Sequence, residues 1–224
     1  KSEDKKKKIL TFDISSKKKI LLISFKDNFK SSDAENLGAE CYNVFSKLKK
    51  NYYTINTNTL SNKSIKHFGH FLHGIKLKSY KFEKYKTKKI KKDIILNIIG
   101  KNIPNQKDQT KFKALEDGTF YARDLVSEPG NILHPDEYAK RIKSLSKLGL
   151  KISIYDDKKL KKLGMNTLLG VGQGSIRGSY LVTIEWNGTK NKSKPLAFVG
   201  KGVCFDTGGI SLKPAKFMED MTYD

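Results

Sequence analysis

Apolar and polar residues follow two different periods along the first hundred residues. Residues 20–25, 52–56 and 94–99 are short apolar or β-branched runs, which predict strands, the first of them buried. Between the first two runs the apolar residues recur at helical spacing, and Ser31 and Ser32 are candidate N-caps for a helix that reaches about residue 50. Its predicted apolar face consists of Ala34, Leu37, Cys41, Val44, Phe45 and Leu48. Strands that alternate with helices indicate an α/β fold.

A polar segment without periodicity separates this region from the rest of the chain. Residues 102–111 contain Pro104 and predict a domain boundary. The helical spacing of residues 112–128 predicts a connecting helix, which Pro129-Gly130-Asn131 ends. We therefore predict an N-terminal α/β domain over 1–110, a connecting helix over 111–128 and a second α/β domain over 129–224.

The second domain repeats the alternation of helices and strands. Asp136 is a candidate N-cap for a helix over 137–148, which Gly149 closes. The remaining patterns predict strands at 151–155, 168–171, 180–186 and 196–200, a short helix at 158–163 and a basic hairpin loop at 187–194.

The net positive charge of the chain suggests a nucleic-acid partner, whereas the kind and distribution of its basic residues argue against one. A formal net charge of +22 attracts nucleic acid without sequence preference. However, the basic residues are 42 lysines and only Arg123, Arg141 and Arg177, and they are spread along the whole chain. Arginine is the preferred reader of phosphates and guanine edges, so biased residue usage explains this pattern better than a designed nucleic-acid surface.

Other compositional signals indicate a cytoplasmic protein. Cys41 and Cys204 cannot form a disulfide framework, and two reduced thiols are expected. No run of 18 apolar residues is present, so the sequence predicts no membrane span. The basic N-terminal residues are not followed by a hydrophobic segment of the length found in signal peptides.

Two clusters resemble functional motifs without matching them. His67, His70 and His73 are spaced three apart, but no cysteine or acid is nearby in sequence, and Gly69 and Gly74 argue against a helix. Surface or turn histidines are therefore favoured over a metal site, and His134 is expected to have a packing role. The glycine-rich residues 170–175 do not fit a dinucleotide-binding loop and are interpreted as a glycine-rich strand edge.

The segment from Val199 to Asp224 combines the residue types of a hydrolytic site. The apolar residues 196–199 lead into Lys201, Asp206 lies in a following turn, and Lys213 comes after a glycine pair. In open α/β sheets, sites form at the carboxyl ends of strands, and carboxylates such as Asp206 and Asp224 can bind divalent cations. A lysine binds a metal only as a neutral amine, which needs a lowered pKa. These residues alone leave a metal site and a solvated polar turn as open alternatives.

The same segment resembles the signature of the leucyl aminopeptidases, also called cytosol aminopeptidases. Residues 200–209 and 212–214, with Met218, Met221 and Asp224, match that pattern, and residues 122–131 look like the start of the family's catalytic domain. Residues 69–86 are similar, more diffusely, to part of the N-terminal domain. The resemblance implies a metallopeptidase catalytic domain with a mixed central sheet, of which the chain contains the first half.

The resemblance also implies a mechanism with two divalent ions, Mn²⁺ or Zn²⁺. It assigns Lys201, Asp206 and Asp224 as metal ligands, with Asp206 shared between the ions. Lys213 is the implied catalytic residue, which stabilises the oxyanion, and Met221 lines the pocket for the first substrate side chain. All five are implied substrate-binding residues, the substrates are peptides with a leucine-type N-terminus, and the full-length protein is expected to form a homo-hexamer.

One family feature is absent from the sequence. The second ligand motif, Asp-x-Glu-x-Arg, occurs nowhere in residues 1–224, so we expect the chain to be inactive by itself. The alternative interpretation is a non-catalytic, positively charged nucleic-acid-binding protein on the same scaffold.

Overall fold

The computed structural model describes residues 8–16, 18–48, 50–88, 93–101, 103–189 and 193–223. The chain divides into two compact units, residues 1–122 and 123–224. Helices and strands alternate in both units, so the predicted α/β class is confirmed. No helix among the described residues is long and apolar enough to cross a membrane. The limits predicted for the two domains and the connecting helix stay a prediction.

In its described residues, the first unit contains two small sheets and two helices, and the long helix α3 begins in it. In chain order the elements are β1 (Ile9–Asp13), β2 (Lys19–Ile23), α1 (Ser31–Lys47), β3 (Tyr52–Asn56), a 3₁₀ turn (Ile65–His67), α2 (Phe68–Lys78), β4 (Ile95–Ile99) and α3 (Gln106–Ser127). β1 and β2 form an antiparallel hairpin, whereas β3 and β4 pair in parallel with Tyr52 opposite Ile95. The parallel pair requires a crossover connection, which contains α2.

The core of the first unit lies between α1 and α2. Its buried residues are Ala34, Leu37, Cys41, Tyr42, Phe45, Phe68, Phe71 and Ile75, and residues of all four strands pack against them. The helices approach closely because a glycine of each helix lies against the backbone of the other: a Cβ on Gly74 would lie 2.0 Å from the carbonyl oxygen of Glu35, and a Cβ on Gly38 would lie 2.1 Å from that of Phe71. Helix α2 therefore forms despite Gly69 and Gly74, since packing outweighs a propensity cost of about 1 kcal/mol per glycine.

Three sequence predictions for the first unit need correction. β2 is not a buried strand, because Leu21 and Ile23 pack on the core while Ile20 and Leu22 are about half exposed. The N-cap of α1 is Lys30 rather than a serine. His73 is buried and its Nδ1 lies 3.0 Å from Oε1 of Glu116, so it is not a surface histidine.

The segment predicted as an unstructured boundary is partly helical. Helix α3 begins at Gln106, and Asn105 caps it by accepting a 2.9 Å hydrogen bond from the backbone N–H of Asp108. The Asp108 carboxylate accepts a return bond from the Asn105 amide at 2.9 Å. Asn105-x-x-Asp108 is thus a capping pattern that the sequence already contained, and it was missed because the segment has no apolar period.

Where the structure describes it, the second unit contains short helices and one strand pair. After the end of α3 the elements are α4 (Pro135–Ser144), a 3₁₀ turn (Leu145–Leu148), β5 (Lys151–Tyr155), α5 (Asp157–Lys162), α6 (Asn166–Gly172), β6 (Leu181–Glu185) and a final 3₁₀ helix (Met218–Tyr223). β5 and β6 are antiparallel, with Ser153 opposite Thr183. The predicted mixed central sheet stays a prediction, since the described residues form this one pair in the second unit.

Four predictions for the second unit were wrong. Residues 168–171 are part of helix α6, because a short apolar run does not distinguish strand from helix, and residues 170–175 end that helix rather than edge a strand. The N-cap of α4 is His134, since Pro135 fits the first helical position. Residues 196–200 form no strand, because no described strand pairs with them. The predicted hairpin loop at 187–194 lies partly outside the described residues.

Candidate active site

The candidate site is a loop that folds back on itself between Asp206 and Lys213. Gly208 and Gly209 adopt φ values of +106° and +94°, which side chains rarely tolerate, and a Cβ on Gly208 would lie 2.6 Å from the carbonyl oxygen of Ser211. The backbone N–H of Lys213 donates to the carbonyl oxygen of Thr207 at 2.9 Å and closes the loop. The glycine pair thus makes the reversal possible that brings Lys213 to Asp206.

The carboxylate of Asp206 accepts two hydrogen bonds from this loop. Its Oδ1 accepts the backbone N–H of Gly208 at 2.8 Å, and its Oδ2 accepts the ammonium of Lys213 at 3.2 Å. The Gly208 bond, the Lys213 bond and the positive charges of Lys213 and Lys201 lower the pKa of Asp206 below its ordinary value. Asp206 is therefore an anion over the whole physiological pH range.

Lys213 has a second partner in the final 3₁₀ helix. Its Nζ lies 2.9 Å from the sulfur of Met221, and its side chain is about one-third exposed. The structure thus brings together three of the residues that the sequence singled out, namely Asp206, Lys213 and Met221. Asp224, the predicted third metal ligand, lies outside the described residues.

Lys201 lies beside a small cavity of about 100 Å³ in the second unit. The cavity is lined by the end of α3, the loop after it, Tyr138 of α4, residues 201–205 and Thr222. Gly130 packs directly on Phe205, since a Cβ on Gly130 would lie 2.6 Å from the Cβ of Phe205. No direct signal in the sequence indicates this cavity, because its walls come from segments about 70 residues apart.

A buried ion pair supports one wall of this cavity. Glu128 is 3% exposed, and its Oε1 lies 3.2 Å from Nη1 of Arg141. Nε of Arg141 also donates to Oε1 of Glu137 at 3.0 Å. Burial lowers the pKa of Arg141, but the bonds to Glu137 and Glu128 outweigh this effect, so its pKa is raised. Sequence reasoning missed this pair, although an arginine in so lysine-rich a chain was a usable signal.

The described residues supply part of a metal-binding shell. They contain no group of three or more His, Cys, Asp and Glu side chains that could hold a metal ion. The ionised carboxylate of Asp206 is a suitable donor for a divalent cation, but one of its oxygens accepts a hydrogen bond from Lys213 in this structure. The donor type therefore fits a metal ligand at Asp206, whereas a complete shell needs donors beyond those described. His67, His70 and His73 of the first unit form no such group among the described residues either.

Comparison with known proteins identifies the family. Residues 120–224 match the model of the cytosol aminopeptidase family, catalytic domain. A probable cytosol aminopeptidase of Caulobacter vibrioides is 50% identical over 157 residues, which cover 67% of this chain and 32% of that protein. The chain belongs to the cytosol aminopeptidase family. A second family member, from Chelativorans sp., is 51% identical over 157 residues, with the same shares covered. The chain spans about a third of the length of these relatives.

Two solved structures share the fold of this chain. The bottromycin maturation enzyme BotP in complex with Mn has a TM-score of 0.72 and 21% identity, over 93% of this chain and 45% of that one. A mutant of tomato leucine aminopeptidase has a TM-score of 0.69 and 20% identity, over 82% of this chain and 39% of that one. At these identities the likeness shows the α/β fold, which agrees with the fold class predicted from sequence.

Proposed function

We propose that the protein is a metal-dependent aminopeptidase that releases N-terminal residues, leucine among them, from peptides. One observation carries this proposal: Asp206, Lys213 and Met221 form a contiguous cluster inside the segment that matches the family's catalytic domain. The nucleic-acid-binding alternative is not favoured, because the matched relatives are named aminopeptidases and the lysines are spread along the whole chain.

The proposed metal ligands are Lys201, Asp206 and Asp224, with Asp206 shared between two divalent ions, Mn²⁺ or Zn²⁺. Such ions, when bound, activate a water and hold the free amine of the peptide. Asp206 is suited to this role because its lowered pKa keeps it charged. Lys201 would have to bind as a neutral amine, which requires a cation beside it.

Lys213 is the proposed catalytic residue. Its ammonium already lies beside the Asp206 carboxylate and has a soft, weak partner in the Met221 sulfur. From this position it can turn to donate to the carbonyl oxygen of the scissile amide as negative charge develops there. Met221, in the adjacent 3₁₀ helix, would line the pocket for the first side chain of the substrate.

Two further features of the proposal concern the whole protein. We propose a cytoplasmic homo-hexamer, and we propose that residues 1–224 alone do not hydrolyse peptides. The second point is supported by the absence of an Asp-x-Glu-x-Arg motif from the sequence and by the incomplete metal shell of the described residues.

The decisive test is hydrolysis of leucine p-nitroanilide by the protein expressed from its natural gene. We expect activity that a chelator abolishes and that added Mn²⁺ or Zn²⁺ restores. Asp206→Ala should lose both bound metal and activity, whereas Asp220→Ala, which removes an exposed acid of the same region, should lose neither. Metal-independent hydrolysis, or none with any divalent ion, would refute the proposal.

A further inference from the structure

The three arginines of this chain stand out against its lysines. The chain uses lysine 42 times and arginine at positions 123, 141 and 177, all in the second unit. A composition with this bias places lysine wherever a positive charge alone suffices. In such a composition, an arginine is expected where the planar guanidinium fork makes contacts that an ammonium cannot.

Arg141 makes such contacts. Its Nη1 lies 3.2 Å from Glu128 and its Nε lies 3.0 Å from Glu137, so one guanidinium holds two carboxylates at once. Glu128 directly follows the last residue of α3, and Glu137 and Arg141 are one turn apart on α4. The side chain of Glu128 is 1% exposed, so an unpaired carboxylate there would be costly.

The two elements that Arg141 joins both touch the segment that leads to Asp206. Gly130, two residues after Glu128, packs on Phe205, the residue before Asp206. Tyr138, three residues before Arg141, packs on Gly202, where a Cβ would lie 3.2 Å from its ring. The same cavity is lined by Glu128, Gly130, Tyr138 and the residues from Lys201 to Phe205.

We propose that Arg141 is a positioning residue, which holds the end of α3 and helix α4 together as the wall that fixes Lys201 and Asp206. Arg141 does not touch the substrate. It acts through Glu128 and Glu137 on Gly130 and Tyr138, and through these on the backbone of residues 202–205. The functional part of this inference rests on the proposed aminopeptidase activity, whereas its structural part does not.

Cys204 provides a local reporter for this arrangement. It lies in the positioned segment, lines the cavity and is partly exposed, whereas Cys41 is fully buried in the first unit. The rate at which a thiol reagent labels Cys204 reports how well the wall shields this partly exposed thiol. The rate for Cys41 measures opening of the first unit, and a Cys204→Ser variant assigns the two signals.

The test compares the rates of Cys204 labelling in Arg141→Lys and Arg177→Lys, both measured at the same pH. Arg177 forms an ion pair with one carboxylate, that of Asp136 in α4, at 3.2 Å. It is about half exposed, so a lysine can replace it. In the Arg141→Lys variant we expect the reagent to label Cys204 about tenfold faster and Cys41 at an unchanged rate. A tenfold change corresponds to a loss of about 1.4 kcal/mol in the free energy that keeps the wall in place. Glu128→Gln should give a similar increase, and Arg177→Lys should resemble the wild type.

Kinetics separate positioning from simple stability. In the active protein, Arg141→Lys should weaken Mn²⁺ binding and, at saturating Mn²⁺, should lower kcat more than it changes KM, because misplaced ligands affect the reacting centre. Unchanged Cys204 labelling, an equal rise at Cys41, or normal kcat despite faster labelling would each overturn the proposal. If the wild type has no peptidase activity, the proposed function fails, and the proposal for a positioning role in that reaction fails with it. The labelling result still decides whether Arg141 holds the wall.

Discussion

Lys213 is the proposed site residue whose contacts the structure defines most fully. It contacts a carboxylate and a thioether, and it follows a loop that only a glycine pair allows. Because it ion-pairs with the proposed ligand Asp206, the proposed mechanism can use its ammonium without making it a metal ligand. This separates its expected phenotype from that of Asp206.

We predict that Lys213→Ala lowers kcat while the protein keeps its metal. The lost ammonium is a donor needed mainly in the transition state, and removal of a comparable donor costs on the order of 10²–10³ in rate. Metal content and steady-state kinetics on leucine p-nitroanilide check this. Lys216→Ala is the matched control, since Lys216 lies over the ring of Phe217 and should be silent. Metal loss as large as that of Asp206→Ala would show that Lys213 is itself needed for the metal site.

Cys41 gives a pH-dependent prediction for the first unit. Burial raises the pKa of its thiol from 9.0 to about 12. Between these values the unfolded chain releases the proton and the folded chain keeps it, so this contribution to stability is present below pH 9.0 and is lost as the pH rises.

The wild type should therefore lose about 1 kcal/mol more unfolding free energy between pH 8 and pH 10 than Cys41→Ala does. Urea denaturation under reducing conditions measures both slopes, and the comparison cancels the titration of the lysines. Parallel slopes for the two proteins would mean that the thiol is not protected in the folded state.

At the scale of elements, a helical glycine is required for close packing in one helix and is not required in another. Gly74 lies where α2 meets the backbone of α1, and a Cβ there would lie 2.0 Å from an oxygen of Glu35. Gly118 lies in α3, and a Cβ added there would have no neighbouring atom within 4 Å among the described residues. The same sequence signal thus marks a close helix contact in one case and an unfilled position in the other.

We predict that Gly74→Ala destabilises the protein by about 1–3 kcal/mol, since the two helices must move apart. Gly118→Ala should instead stabilise α3 by about 0.5–1 kcal/mol, because alanine loses less backbone entropy. Thermal or urea unfolding followed by circular dichroism tests both. Equal effects of the two substitutions would contradict the close packing of α1 against α2.

At the scale of the molecule, the second unit exposes several apolar residues that precede or belong to the segment of the site in sequence. Each is at least two-thirds exposed: Leu196 (81%), Phe198 (89%), Val199 (99%), Ile210 (109%) and Leu212 (68%). The apolar composition of residues 196–199, which predicts a strand, still favours one when a partner strand is available. Exposed apolar surface of this kind favours association.

The chain of residues 1–224 is therefore expected to self-associate as its concentration rises. Sedimentation velocity should show a smaller associated fraction for the double variant Phe198→Ser/Val199→Ser. Val171→Ser is the control, because Val171 is 82% exposed in helix α6, away in sequence from this group. A monomer at all concentrations, or equal effects of both variants, would argue against an apolar contact at residues 196–199.

The sequence by itself determined the elements whose pattern is local. β3, β5 and α5 lie within one residue of their predicted limits, and most of the predicted apolar face of α1 is buried. The family was recognised from residues 200–224 because residue types and spacing are preserved in a linear motif. A periodic pattern or a linear motif involves residues that are close in sequence, so it can be identified without tertiary information.

Only the tertiary structure decided the features that depend on residues far apart in the chain. Helix α2 forms because Gly74 packs on α1 and Gly69 packs on Phe112 of α3, while His73 is buried against Glu116 and Glu128 pairs with Arg141. The physical reason is that burial and pairing energies depend on which segments pack together, and these energies exceed the local propensities that sequence patterns report. The contact of Lys213 with Asp206 and Met221 likewise required the folded loop.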